Sequence, residues 1–382
     1  MDVNAFSEFK SGRLVPINAG RHSDYAFVPD PLPPSIVTND AHWPLLLAAH
    51  KKLARLDVMA AELPDLNLLL RPLQRREAMT SNSLEGTFVA PEELLLFEAQ
   101  DSKASDEGKR NDWLEVAAYD TALTRGCELI RDGHRITKAM MLQLHRLLMD
   151  GSVRGRERRP GEFRTKQVVV GANRRYVPPP PEELAAALAN FEVFMVTPPS
   201  EIDPLIAAYV AHYQFEAIHP FEDGNGRLGR LLLALCNYQW LALNTPCLYM
   251  SEFFERNRKD YIWHLSRIST HGEWRDWIDF CLRGTIEQAD DSMRRCEVLR
   301  GLRKAYLARL GAKSDKSVLL LDDLFKSPFI TVIEVKKKFD VTYPTAKSYL
   351  ERLVAEGVIT EMKDRSLRTY VAREIFDAAY GD

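Results

Sequence analysis

Residues 219 to 230 read HPFEDGNGRLGR, which puts an imidazole, a carboxylate, two glycines around an asparagine, and two arginines three apart into one short run. Gly224 and Gly226 let the backbone adopt positive φ and approach a ligand with no Cβ in the way. Their amides, with that of Asn225, make an anion nest at a helix N-terminus, a setting that suits a diphosphate. Asp223 is a hard oxygen ligand beside the nest, where a Mg²⁺ bridging two phosphates would sit. Arg227 and Arg230, at i and i+3, direct both heads to one side and offer charge-assisted hydrogen bonds to phosphate oxygens. His219, whose kind titrates near roughly 6.5, is a suitable general base toward a hydroxyl attacking one of those phosphates. Taken singly, a histidine at a helix end is more often structural and a Gly-x-Gly more often a turn. Together they point to phosphate chemistry.

The elements around this run must hold it still. IDPLIAAYVAHYQFEAI sets Ile202, Leu205, Ile206, Tyr209, Val210 and Tyr213 on one helix face and delivers His219 at its end. LGRLLLALCNYQWLAL, apolar almost all round, predicts a central buried helix. Upstream, WPLLLAAHKKLARLDVMAAEL and LPDLNLLLRPLQRREAMTSNSLEG read as amphipathic helices, the second ending at Gly86. Another helix is expected from Pro91, and the polar stretch AQDSKASDEGKR reads as a loop and domain limit, with helices resuming at Trp113 and Thr137. The first forty residues are polar and proline-rich, and predict an extended arm packed on something else. QVVVGANRRYVPP carries the one clear strand signal, a short hairpin. After about residue 310 the order becomes helix, short helix, longer helix and two strands around a charged turn, that of a winged helix-turn-helix.

At 382 residues the chain has room for two or three domains with real cores. A formal charge of −3 gives no general attraction to polyanions, so any nucleic-acid surface must be local. Cys127, Cys236, Cys247, Cys281 and Cys296 are scattered with no CxxC pair, which suits reduced thiols in a cytoplasm. The longest apolar run, LLLALC, falls far below the roughly 18 residues of a membrane span, and the start carries no signal-peptide core. A cytoplasmic protein without a membrane segment is expected.

His219, Pro220, Phe221, Asp223, Gly224, Asn225, Gly226, Arg227 and Arg230 match the signature of the Fic family, within the Fic/Doc superfamily, and the chain resembles a Fic protein adenylyltransferase. The proline-rich arm, the helical N-terminal segment, GEFR with the hairpin, and NRKDYI extend the resemblance over most of the chain. It implies transfer of AMP from ATP, with Mg²⁺ as cofactor, to a Ser, Thr or Tyr hydroxyl of a protein target, with diphosphate leaving. On that basis His219 deprotonates the target hydroxyl and Asp223 holds Mg²⁺. Gly224, Asn225, Gly226, Arg227, Leu228, Gly229 and Arg230 bind ATP, Phe221 anchors the loop, and Glu222 is solvated. Val170, Gly171, Ala172 and Asn173 become a flap that pairs with the target and touches the nucleotide. Tyr261 would stack on the adenine. SNSLEG matches the family's inhibitory pattern, with Ser81, Glu85 and Gly86 placing the Glu85 carboxylate against Arg230.

The fold expected is therefore mostly α: a Fic-type helical core with a small β-hairpin flap, plus a C-terminal winged helix-turn-helix domain. The limits are 1–110 for the arm and inhibitory helix, 111–300 for the catalytic part and 301–382 for the winged helix. The rival within the enzyme class is an AMP-removing or bifunctional enzyme. The kinase-like branch departs at GNGR, which is intact here. A rival of another class is a DNA-binding regulator using Lys336 to Lys338, Lys347, Arg352, Lys363, Arg365 and Arg368, diluted by Glu351, Glu356, Glu361 and Asp364. A second copy of the chain, as homodimer partner or as target, stays open alongside ATP and an external target.

Overall fold

The computed structural model describes residues 1–19, 22–34, 39–61, 67–100, 107–150, 158–171, 176–311, 315–362 and 368–381. The proline-rich start is extended, but it is also paired. Strands β1 (Gly12–Ala19) and β2 (His22–Pro29) form an antiparallel hairpin with Gly12 opposite Pro29. Prolines 16 and 29 disguised it, although a two-stranded ribbon has edges where proline's missing donor costs nothing. Ala26, Phe27 and Val28 of β2 are buried, and the Phe27 amide donates to the Val177 carbonyl at 2.8 Å.

Eleven α-helices follow among the described residues of the first body: α1 (Trp43–Ala61), α2 (Asn67–Leu84), α3 (Pro91–Gln100), α4 (Glu107–Arg131), α5 (Lys138–Asp150), α6 (Pro181–Val196), α7 (Pro204–Ile218), α8 (Asn225–Trp240), α9 (Ser251–Arg256), α10 (Arg258–His271) and α11 (Trp274–Leu310). Helices α7 and α8 lie side by side at the centre. Both bury nearly every residue over their first three turns, including Tyr209 and Tyr213 on one and Leu228, Leu231 and Leu235 on the other. Around them α4 packs on α5, α2 and α8, while α1 runs along α11. The stretch read as a loop up to Arg110 is shorter than expected, because α4 already begins at Glu107; residues 101–106 lie outside the described ones. The expected limits at 110 and 300 both fall inside helices, α4 and α11.

The chain then gives α12 (Asp315–Lys326), β3 (Phe329–Thr331), α13 (Val332–Phe339), α14 (Tyr343–Ala355), β4 (Thr360–Glu361), β5 (Thr369–Val371) and α15 (Arg373–Tyr380). The strands form one antiparallel sheet in the order β3-β5-β4. Strand β3 and helix α15 were not legible in the sequence, and Lys363, Arg365 and Asp364 of the charged turn lie outside the described residues. Local chemistry fixes the starts of α13 and α14: Thr331 and Glu334 close a capping box, and Thr342 caps the amide of Thr345. Helices α12 and α15 both pack on α2, and the Arg75 guanidinium donates to the Lys326 carbonyl at 2.8 Å. Among the described residues no helix is long and apolar enough to cross a membrane, and all five cysteines are buried free thiols.

Candidate active site

Helix α7 starts where Asp203 accepts the Leu205 amide and Pro204 opens the first turn. It stops at His219, whose left-handed backbone (φ 49, ψ 63) turns the chain out of the helix into Pro220. Nδ1 of His219 lies 3.3 Å from the Glu216 carbonyl. A carbonyl only accepts, so Nδ1 carries the proton and the Nε2 lone pair is left available. Burial, with the nearby Arg164 cation adding to it, pushes the pKa of His219 down to about 4 against a smaller opposing effect of the Glu216 carbonyl. The ring is therefore a neutral base over the physiological range.

Arg164 holds this corner from behind. Its side chain is buried and donates to the carbonyls of His219 (2.8 Å) and Pro179 (2.6 Å), while its own amide donates to Pro220 (2.9 Å). The orphan carbonyls at the end of α7 are thus met by a cation, which the helix dipole also favours there. The GEFR segment drew notice in the sequence, but nothing local marked its arginine as the support of His219.

The loop after His219 is pinned from two sides. Asn225 Oδ1 accepts the Phe221 amide (2.8 Å) and its Nδ2 donates to the Phe221 carbonyl (2.9 Å). Phe221 is fully buried, as expected, and stacks on His145 with ring centroids 3.8 Å apart. His145 accepts the Gly161 amide at Nδ1 (2.9 Å), so its Nε2–H donates to the Asp223 carbonyl (3.0 Å). Burial lowers the pKa of His145 to about 4, keeping it neutral in this role. No sequence signal separated this histidine from the amphipathic pattern of α5.

Gly224 caps α8 with φ 76, and a Cβ there would lie 2.7 Å from Met149 Sδ, so both conformation and space demand glycine. The Gly224 amide is taken by Asp223 Oδ1 at 2.7 Å. The next three amides, of Asn225, Gly226 and Arg227, have no acceptor within the helix and give the first turn of α8 its anion-binding character. Asp223 and Glu222 are half-buried.

The two arginines reach the same last turn of α2 and meet different partners. Arg230 donates from Nε to Ser81 Oγ (2.9 Å) and from Nη2 to the Ser81 carbonyl (2.8 Å) and Glu85 Oε1 (2.7 Å). The Glu85 carboxylate lies against the nest itself, since a Cβ on Gly226 would be 2.2 Å from Oε1. Partial loss of water around its bonded oxygen works against the charged form of Glu85, but the attraction of Arg230 outweighs it and the pKa is lowered. Gly86 follows with φ 91 and turns the chain away from α2.

Arg227 departs from expectation. Its guanidinium is buried, with Nη1 3.4 Å from Glu115 of α4 and 3.5 Å from Asn82 Oδ1 in the α2–α4 seam, and Nη2 3.7 Å from Met149 Sδ. Glu115 also accepts the Thr87 hydroxyl at 2.9 Å. An acid more than a hundred positions away cannot be paired with an arginine from one sequence alone, and Glu115 was missed.

Tyr261 also departs from expectation: it is buried, stacks on Phe254 with centroids 4.5 Å apart, and its hydroxyl meets His212 Nε2 at 2.9 Å. That ring packs in the core of this structure. Leu228 is fully buried in α8, and Gly229 faces Glu216. The expected flap is one bridge, Val170 with Tyr176, with Gly171 at φ 75; Ala172 and Asn173 lie outside the described residues. The Tyr176 hydroxyl ties the returning limb to the Ala217 carbonyl at 2.7 Å, beside His219.

With this geometry in place, comparison with known proteins is informative. Residues 43–128 match the Fic/DOC family N-terminal region and residues 135–236 match the Fic/DOC family itself. Protein adenylyltransferase Fic of Drosophila virilis is 31% identical over 196 residues, covering 50% of this chain and 36% of that protein. The Culex quinquefasciatus protein of the same name is 30% identical over 194 residues. The chain thus spans little more than a third of the length of these relatives. A Fic family protein from Desulfovibrio desulfuricans superposes with a TM-score of 0.58 at 19% identity, covering 89% of this chain and 98% of that one. Fic-1 of C. elegans superposes at 0.50 with 20% identity, covering 66% and 74%. The chain belongs to the Fic/Doc superfamily. Its fold is a mostly helical Fic-like core with a small antiparallel hairpin near the N-terminus.

Proposed function

We propose that the chain is a protein adenylyltransferase, moving AMP from ATP to a Ser, Thr or Tyr hydroxyl of a protein target, and that its own Glu85 restrains it. The observation that carries this reading is the Glu85 carboxylate seated on Arg230 and against Gly226, at the helix N-terminus that His219 borders. The adenylyltransferase relatives support the reaction class.

In this reaction Nε2 of His219 takes the proton of the target hydroxyl as that oxygen attacks the α-phosphorus. The bond from the α-phosphorus to its bridging oxygen breaks, and diphosphate leaves with the electron pair. The first-turn amides of α8 and the Arg230 guanidinium meet the negative charge of the phosphates. Arg164 and His145 keep the base and the loop in register. Asp223 fits Mg²⁺, which favours one or two carboxylates plus substrate phosphates, and among the described residues no set of three or more acid, histidine or cysteine side chains competes for it. When bound, Mg²⁺ neutralises phosphate charge.

Glu85 on Arg230 occupies a phosphate clamp and puts negative charge where negative charge must enter. Glu85→Gly is expected to raise labelling of protein by isotopic or mass-shifted ATP at least about tenfold, a loss of roughly 1.4 kcal/mol of restraint. In that background His219→Ala should reduce labelling by about a hundredfold or more while ATP still binds. Equal labelling by wild type and Glu85→Gly removes the switch, and full labelling by the double variant puts the base elsewhere. Glu85 is half-exposed and so free to orient a water, which favours a second reading, AMP removal, and release of AMP from a pre-modified target tests it.

The last residues we read as a winged helix-turn-helix, supported by the order helix, strand, helix, helix, strand, strand and by the three-stranded sheet. Lys338, Lys347 and Arg368 are paired with Asp323, Glu351 and Glu361, so DNA ranks behind a protein partner for this surface. A mobility-shift series over salt distinguishes them, since DNA binding weakens steeply as salt rises.

A further inference from the structure

We propose that Glu216 is a second acid set on Arg230, one that competes with an incoming nucleotide phosphate for the guanidinium when ionised and yields when it carries a proton. The inference rests on the nucleotide reading of the site and names how that site is tuned.

Glu216 stands in the last turn of α7, three residues before His219, whose Nδ1–H its carbonyl accepts. Its carboxylate crosses to α8: a Cβ built on Gly229 would lie 2.2 Å from Glu216 Oε1, just as one on Gly226 would lie 2.2 Å from Glu85 Oε1. Two carboxylates thus stand against one face of α8, three residues apart, with Arg230 next in the chain. Only the first is bonded. Arg230 gives Nε and Nη2 to Ser81 and Glu85, whereas Glu216 Oε1 is buried with no hydrogen-bond partner among the described residues. A glutamate kept for structure would have its buried oxygen satisfied, because leaving one unpaired is costly.

One guanidinium cannot neutralise two nearby acids, so one of them tends to keep its proton. The groups that face Glu216 are Arg230 from α8, Glu85 from the end of α2, Tyr261 from α10 and His219 on its own turn. Burial raises the Glu216 pKa to about 7; Arg230 opposes that rise and the Glu85 charge adds to it. With Glu85 withdrawn, a neutral Glu216 leaves Arg230 to the phosphate, and an ionised one contests it. Phosphate in turn favours the protonated acid, so binding takes up a proton wherever the free site is ionised. Affinity then falls as pH rises.

Calorimetric titration of Mg-ATP into Glu85→Gly and Glu85→Gly/Glu216→Gln, from about pH 5.5 to about pH 8, tests this across the relevant window. The ratio of the two Kd values cancels the ionisation of ATP itself. We expect the single variant to lose about tenfold or more in affinity, relative to the double variant, as pH rises across that range. Glu216→Asp should retain a pH-dependent Kd. If the glutamine variant does not fold, Glu85→Gly/Glu216→Met supplies an uncharged side chain of similar length. A ratio that stays constant with pH overturns the role of Glu216. Absence of nucleotide binding in every variant at every pH overturns the nucleotide reading instead.

Discussion

The two arginines of the loop-helix junction sit one turn apart and each faces an acid, yet the two pairs differ in kind. Arg227 and Glu115 are both sealed in, with side chains 6% and 5% exposed, and they join α8 to α4. Arg230 is equally sealed at 3%, but its acid, Glu85, is 42% exposed and sits at the free end of a helix, beside a glycine. Removing one member of a sealed pair strands a buried charge, whereas removing a solvent-facing acid leaves a cation that still holds two acceptors on Ser81. The first pair is a fastening between helices. The second has the form of a contact that can open without loss of the fold.

The contrast can be broken most decisively at Glu115. Glu115→Ala should cost about 3–5 kcal/mol, read as a lowered urea midpoint, because Arg227 is left buried and its Nε already lacks a partner. Glu85→Gly should change the same midpoint by less than about 1 kcal/mol while raising AMP transfer, so a large stability loss there would erase the distinction. Ser81→Ala removes one of the two Ser81 acceptors on Arg230 and should raise basal transfer by about twofold to fivefold, the worth of one hydrogen bond. The pH profile sharpens the picture at the base. A histidine held near 4 is neutral above that value and loses base function only as pH falls through it. The acid limb of kcat/KM in Glu85→Gly should therefore lie well below 6.5, and a limb at about 6.5 would mean an imidazole in contact with bulk water.

How much of this could be read from the chain follows the range of each interaction. The loop was legible because its parts are local: Gly224 needs positive φ, Asn225 bonds back to Phe221, and the apolar surfaces of α7 and α8 announce their burial. Glu85 was legible through its resemblance to a family pattern and through its i, i+4 relation to Ser81. Glu115, His145 and Arg164 were not, since each acts across a gap of fifty or more residues and looks ordinary in its own helix or loop. Arg227 and Tyr261 were assigned by position in a motif, and tertiary packing turned both inward. The β1–β2 hairpin stayed hidden because prolines read as breakers without knowledge of which edges are unpaired.

Helix α2 is clasped by α4, α9, α12 and α15, with Arg75 bonded to the Lys326 carbonyl. Sliding the whole rod out would dismantle both bodies of the molecule. Ser81, Asn82 and Leu84 stay buried, so freedom is left to the exposed helix end at Glu85 and Gly86, and helix ends fray on microsecond or shorter timescales. Enzymes of ordinary speed turn over far more slowly than that, so under the proposed restraint open and closed forms would interconvert many times per cycle, and the resting rate would gauge how often the Glu85 contact is undone.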